Sequence, residues 1–222
     1  MALAGPRVHR GSGWLRAARH VQTSPSGVIG MDLDTLYHRT VVSWVDRVNA
    51  VDADQWDGRT PCQDWTVRDL VNHVTGEDLW TVPLMRGSTI EEVGDKFDGD
   101  VVGDDPTSSS LDAAMEATRV VEELLPSNGT VHLSYGEERM EEYVHQLAAD
   151  HLIHGWDLAA ATDGDTQLDP ELVSELSTWF AEREELYRGA GIIGPRGTSP
   201  GGAQGDLLAA SGRDPGWSAP GN

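Results

Sequence analysis

The strongest constraint on this chain is a single helical row. Between Glu137 and Ala161, Met140, Tyr143, Val144, Leu147 and Leu158 recur at steps of three and four, the period of a helix with one face in a core. Asp150, His151 and His154 fall among them, where the period asks for apolar side chains. Residues four apart share a helix face, so Asp150 and His154 stand one above the other. A carboxylate buried without a partner is costly, so such a helix can turn inward only where a cation, a strong donor or water meets it. A carboxylate and a neutral imidazole at this spacing can grip one metal ion, at about 2 Å for zinc.

The surrounding pattern predicts other helices to pack against this one. Leu33, Leu36, Tyr37, Val41, Trp44, Val45 and Val48 give an amphipathic helix over about 32–51. Gly58, Pro61 and Asp64 mark a turn-rich link, after which Thr66 and Asp69 resemble a capping box that opens a second helix running to about Leu84. Residues 87–110, rich in Gly, Asp and Ser with a short helical stretch near Glu91, read as a long exposed connection suited to a crossover between helices that are not neighbours. A third helix is predicted over Leu111–Leu125, ended by Pro126, Asn128 and Gly129. Thr130 to Tyr135 favours extended structure, as an isolated strand or entry arm. Asp169 and Pro170 open a fifth helix through Leu172, Val173, Leu176, Trp179 and Phe180. From Gly189 onward Gly and Pro dominate, with Leu207 and Leu208 expected to dock a final short segment.

Charge excludes several partners. The 222 residues carry a formal net charge of −21, which repels phosphate backbones and anionic membranes and leaves counterion release nothing to act on. No nucleic-acid or membrane partner is therefore expected, and no stretch approaches the length that spans a bilayer. The charge is uneven: residues 1–30 hold Arg7, Arg10, Arg16 and Arg19 with no acidic residue, leaving 12 basic against 37 acidic side chains in the rest. That segment reads as a disordered leader or a misassigned start with translation from Met31, and residues 31–222 as one helical domain. Cys62, the single cysteine, rules out an intrachain disulfide and fits a reducing, cytoplasmic setting.

His73 supplies a third candidate ligand from the edge of the second helix's apolar stripe, since facing helices of a bundle build metal sites from inward side chains. His151, three residues before His154, competes for the place of Asp150. Three protein ligands would leave an open position for water or substrate. The competing reading is a polar core cluster satisfied by its own hydrogen bonds. Asp157 is expected to orient a ligand imidazole. Cys62 is read as packing rather than as a nucleophile, because no base adjoins it in sequence. Trp65 and Trp156 read as core or lid residues, His132 and His145 have no evident partner, and Arg183 and Arg188 read as solvated charge among glutamates.

The stretch WDGRTPCQDWTVRDLVNH from Trp56 to His73, followed by HGWDLAAAT from His154 to Thr162, resembles the mycothiol-dependent maleylpyruvate isomerase-like branch of the DinB superfamily. The ending LLAASGRDPGW, Leu207 to Trp217, is similar to a tail shared by uncharacterised members. The resemblance implies an all-α fold, a DinB-like four-helix bundle with an additional C-terminal helix and an irregular tail from about 189. It implies metal ligation by His73, Asp150 and His154. The isomerase has glutamate at the position of Asp150, so the shorter side chain here would weaken binding or bring in His151. It further implies a divalent ion, zinc first with nickel or iron as alternatives, whose open position takes the thiolate of mycothiol for attack on a small electrophile. Isomerisation of maleylpyruvate is not expected to carry over, because the isomerase needs a further C-terminal domain. Two readings stay open: a metal-dependent thiol transferase or isomerase-like enzyme, monomeric or homodimeric, and a non-catalytic helical metal-binding or protein-interaction module.

Overall fold

The computed structural model describes residues 30–219; the expected leader, apart from Gly30, lies outside the described residues. The fold is all-α and DinB-like, with eight α-helices and one small hairpin among the described residues. Helix α1 (Leu33–Asn49) starts where the Asp32 side chain accepts from Thr35 N at 2.9 Å, and it buries Tyr37, Val41, Trp44 and Val48. Helix α2 (Val67–Met85) opens on the capping box of Thr66 and Asp69. A one-turn helix α3 (Ile90–Val93) precedes α4 (Pro106–Leu124), and α5 (Met140–Ala161) completes the bundle. Around the bundle the neighbours run α1, α5, α2, α4 and back to α1. The connections that cross the bundle are therefore those from α1 to α2 and from α4 to α5.

This order corrects the reading of residues 87–110. Helices α2 and α4 are neighbours, so their long connection is no crossover. It is not simply exposed either: Asn72 Nδ2 donates to Gly99 O at 2.9 Å and its Oδ1 accepts from Val101 N at 2.8 Å, which folds Val102 fully into a core with Trp44, Leu70 and Leu158. Helix α4 begins at Pro106, because the Asp105 side chain accepts from Ser108 N at 3.1 Å and proline suits the first helical position. The extended segment also has a partner. Strand β1 (Thr130–Leu133) pairs antiparallel with β2 (Gly136–Arg139), Leu133 opposite Gly136, and α5 starts at Met140. The partner strand is polar throughout, so its sequence reads as the first turn of the helix it precedes.

Helix α5 is the centre of the molecule, with nearly every residue from Met140 to Ala159 buried. Helices α1 and α2 cover one side and α6 (Pro170–Ala181) another. The tail holds the expected docked segment. Beyond α7 (Glu184–Gly189), α8 (Ala203–Ala210) docks Leu207 and Leu208 on the body against α6. Arg183 is not a solvated charge: it is 3 % exposed, its Nε and Nη2 each 2.6 Å from a Glu142 oxygen and its guanidinium over the Trp179 ring. Arg188 is half-buried and donates to Ala210 O at 2.8 Å as well as to Glu184. His145 stacks on Trp179 with ring centroids 5.7 Å apart. Nearby glutamates in sequence masked the real partner of Arg183, 41 positions away.

Two substitutions check this architecture. Leu152, 1 % exposed in α5, should lose about 2–5 kcal/mol on change to alanine, and Asp105→Ala about 1 kcal/mol through the lost cap. Urea midpoints with an unchanged slope read both; a silent Asp105→Ala would place the start of α4 elsewhere.

Candidate metal centre

The packing of α2 on α5 brings His73 opposite Asp150 and His154. His73 Nε2 is buried, makes no hydrogen bond, and stands 3.4 Å from Asp150 Oδ2. His154 Nε2 stands 3.4 Å from Asp150 Oδ1. These separations are longer than a good N–H···O hydrogen bond of about 2.7–3.2 Å. Each runs to a different oxygen of Asp150, which places the carboxylate between the two imidazoles. One ligand atom from each of the three residues lies within 4.8 Å of the others. The donor set of two imidazoles and a carboxylate therefore fits a divalent ion such as zinc.

The link from α1 to α2 roofs this cluster. Trp65 N donates to Cys62 O at 3.1 Å, closing a turn in which Asp64 has φ +67°, a conformation aspartate tolerates. The turn lays the Trp65 ring 4.9 Å from that of His73 and 6.1 Å from that of His154. A cavity of about 510 Å³ opens beside it, walled by Arg59, Cys62, Trp65 and Trp217. Trp156 is 3 % exposed in the main core and does not line that cavity.

His151 does not join the cluster. Its Nδ1 donates to Leu147 O at 2.8 Å, its Nε2 is 3.2 Å from Asp78 Oδ1, and its ring meets the edge of Tyr37. One residue along a helix is about 100° of rotation, so His151 is turned away from Asp150 and meets α1 and Asp78 rather than His73.

Two residues lie behind His154: Asp157, which the sequence pointed to as the partner of an imidazole, and Arg213, which sequence reasoning passed over. His154 Nδ1 donates to Asp157 Oδ2 at 2.9 Å. Arg213, from the segment after α8, donates Nε to Asp157 Oδ1 at 2.9 Å and Nη2 to Oδ2. The same Nη2 is 3.4 Å from Cys62 Sγ, which in turn is 3.3 Å from Asp157. Cys62, His154 and Asp157 thus form a second group with metal-ligand spacing. The guanidinium already stands at that group and supplies its positive charge, so the cluster with His73 is the one suited to an ion. The signal for Arg213 was there to be used: a buried Asp157 requires a counter-charge, and the tail carries an arginine in SGRD.

Electrostatics follow from this layout. Burial drives the His73 pKa down to about 4 although Asp150 draws it upward. Burial also opposes charge on His154, but Asp150 and Asp157 on either side outweigh it and push its pKa up to about 10. Burial raises and His154 lowers Asp150, the charge winning, so its carboxyl stays well below the usual range. Arg213 and His154 likewise overcome burial to hold Asp157 low.

A model of the mycothiol maleylpyruvate isomerase N-terminal domain matches residues 37–159. The chain belongs to that family. It is also similar to uncharacterized proteins of two Mycobacterium tuberculosis strains, each 33 % identical over 156 residues, covering 68 % of this chain and 74 % of the relative. No solved structure matches. The family match holds His73, Asp150, His154 and Asp157 and stops short of Arg213.

In the metal-free protein at neutral pH, His154 should be an imidazolium and His73 a neutral ring titrating near 4, read from side-chain 15N shifts. The His154 contribution to stability is full below about 6.5 and is lost as the pH rises toward about 10. A His154 ring that titrates near its ordinary value would contradict this charge arrangement.

Proposed function

We propose that the chain is a divalent-metal-dependent enzyme that uses a small thiol, mycothiol, against a small electrophile. The observation that carries the reading is the convergence of His73, Asp150 and His154, one ligand atom from each within 4.8 Å of the others. The family's name supports the choice of thiol. When bound, the ion would supply a positive centre that keeps the thiol sulfur deprotonated at neutral pH.

The protein's own groups do the rest. His73 and His154 would each offer Nε2 and Asp150 an oxygen, with the His73 side chain, 18 % exposed, marking the approach from solvent. Trp65 lies over both rings and limits water there. The cavity between Trp65 and Trp217 has room for the body of a small thiol or its reaction partner. Asp157 keeps a proton on Nδ1 of His154, which leaves Nε2 as the ligating nitrogen. Zinc is the ion we expect, with a cytoplasmic setting in which Cys62 stays a free thiol. Isomerisation of maleylpyruvate is not part of the proposal, since the model that matches describes only the N-terminal domain of that isomerase.

The protein should take up about one zinc per chain, a stoichiometry set by a single three-ligand site. His73→Ala and His154→Ala should each lower affinity by more than about 100-fold, beyond the loss typical of a supporting residue. Because His154 holds its Nε2 proton up to about pH 10, affinity should rise about tenfold per pH unit around neutrality, as one proton leaves per ion bound. Protein that stays metal-free after incubation with zinc, nickel and iron would overturn the proposal.

A further inference from the structure

We propose that Arg213 is a positioning residue of the metal centre: its guanidinium locks the Asp157 carboxylate, which fixes the His154 ring with Nε2 toward Asp150 and His73. The inference rests on the metal-centre reading above and adds to it a residue beyond the family match.

The geometry begins in the tail. Helix α8 ends at Ala210, and Gly212, with φ +82°, turns the chain beyond it, while Arg213 N donates to Leu208 O at 2.8 Å. That turn is packed for glycine on both sides. A Cβ on Gly212 would sit 3.2 Å from Gly194 N, and one on Gly197 would meet Arg213 O at 2.3 Å. The backbone at residue 213 is thereby fixed, and its side chain enters the body with the residue 8 % exposed.

The next link is the fork. Nε and Nη2 reach the two oxygens of Asp157, a two-point contact that sets the plane of the carboxylate as well as its charge. An ionised carboxylate only accepts hydrogen bonds, so the Nδ1 of His154, 2.9 Å from Oδ2, must be the donor. The ring then has one nitrogen left, and it faces Asp150 Oδ1 at 3.4 Å. Asp157 is fully buried, so no water can take the place of the guanidinium without a rearrangement. A lysine would keep the charge but not the planar fork.

The test compares the full-length wild type with Arg213→Met, Arg213→Lys and Asp157→Asn. Side-chain 15N spectra of the metal-free proteins should show a protected Nδ1–H on His154 in the wild type. That proton should be lost to exchange in Arg213→Met. Cobalt(II) affinity, read by competition with a chelator, should fall about 10–100-fold in both arginine variants with helical content retained. Arg213→Met combined with Asp157→Asn should lose no more than the worse single variant, since both act through one contact. An unchanged Nδ1–H signal in Arg213→Met overturns the inference, whatever the metal result. So does unchanged cobalt affinity in both arginine variants, or loss of folded structure in both, which would make Arg213 only a staple for the tail. A wild type that binds no cobalt but shows the Arg213-dependent Nδ1–H would leave the positioning contact standing and remove the metal-centre reading alone.

Discussion

Two carboxylates on one buried helix face are the constraint on which the rest of this structure depends. Asp150 and Asp157 lie in α5, 2 % and 0 % exposed, where an uncompensated charge would be prohibitive. The fold answers each from a different part of the chain. His73 of α2 and His154 meet Asp150, and Arg213 of the tail together with His154 meets Asp157. His154 is common to both, with one ring nitrogen turned to each carboxylate. The bundle is thus tied together at this level by charge as well as by apolar packing, and the polarity of one imidazole is set by what stands on its two sides.

That arrangement explains why the connections are shaped as they are. The diagonal from α1 to α2 passes over the cluster and delivers Cys62 and Trp65 to it. The long link from α2 to α4, held by Asn72, closes the apolar layer beneath with Val102. Helix α6 covers another side of α5, α8 packs on α6, and the glycine turn after α8 presents Arg213. A tail that reads as irregular in composition is, in this fold, the way a cation reaches a buried anion.

Much of this was legible in the sequence. The helical period located α1, α2 and α5, and the capping residues Thr66 and Asp169 marked helix starts. The interruption of an apolar row by Asp150 and His154 marked the candidate site, and the resemblance to the family added His73. What escaped reading shares one physical cause, contact between distant residues. The strand Gly136–Arg139 has no apolar alternation and is a strand only because Thr130–Leu133 lies beside it. Arg183 pairs with Glu142 rather than with its sequence neighbours, and the adjacency of α2 and α4 is a matter of bundle packing that no local pattern encodes. His151 shares a short sequence with the candidate ligands, yet its rotation about α5 sends it to Asp78.

The most direct test of the central claim is anomalous scattering at the zinc edge from crystals of the zinc-loaded protein. The account predicts one peak per chain about 2.0–2.2 Å from His73 Nε2, His154 Nε2 and an Asp150 oxygen. A peak between Cys62 and Asp157, or none near His73, would contradict it.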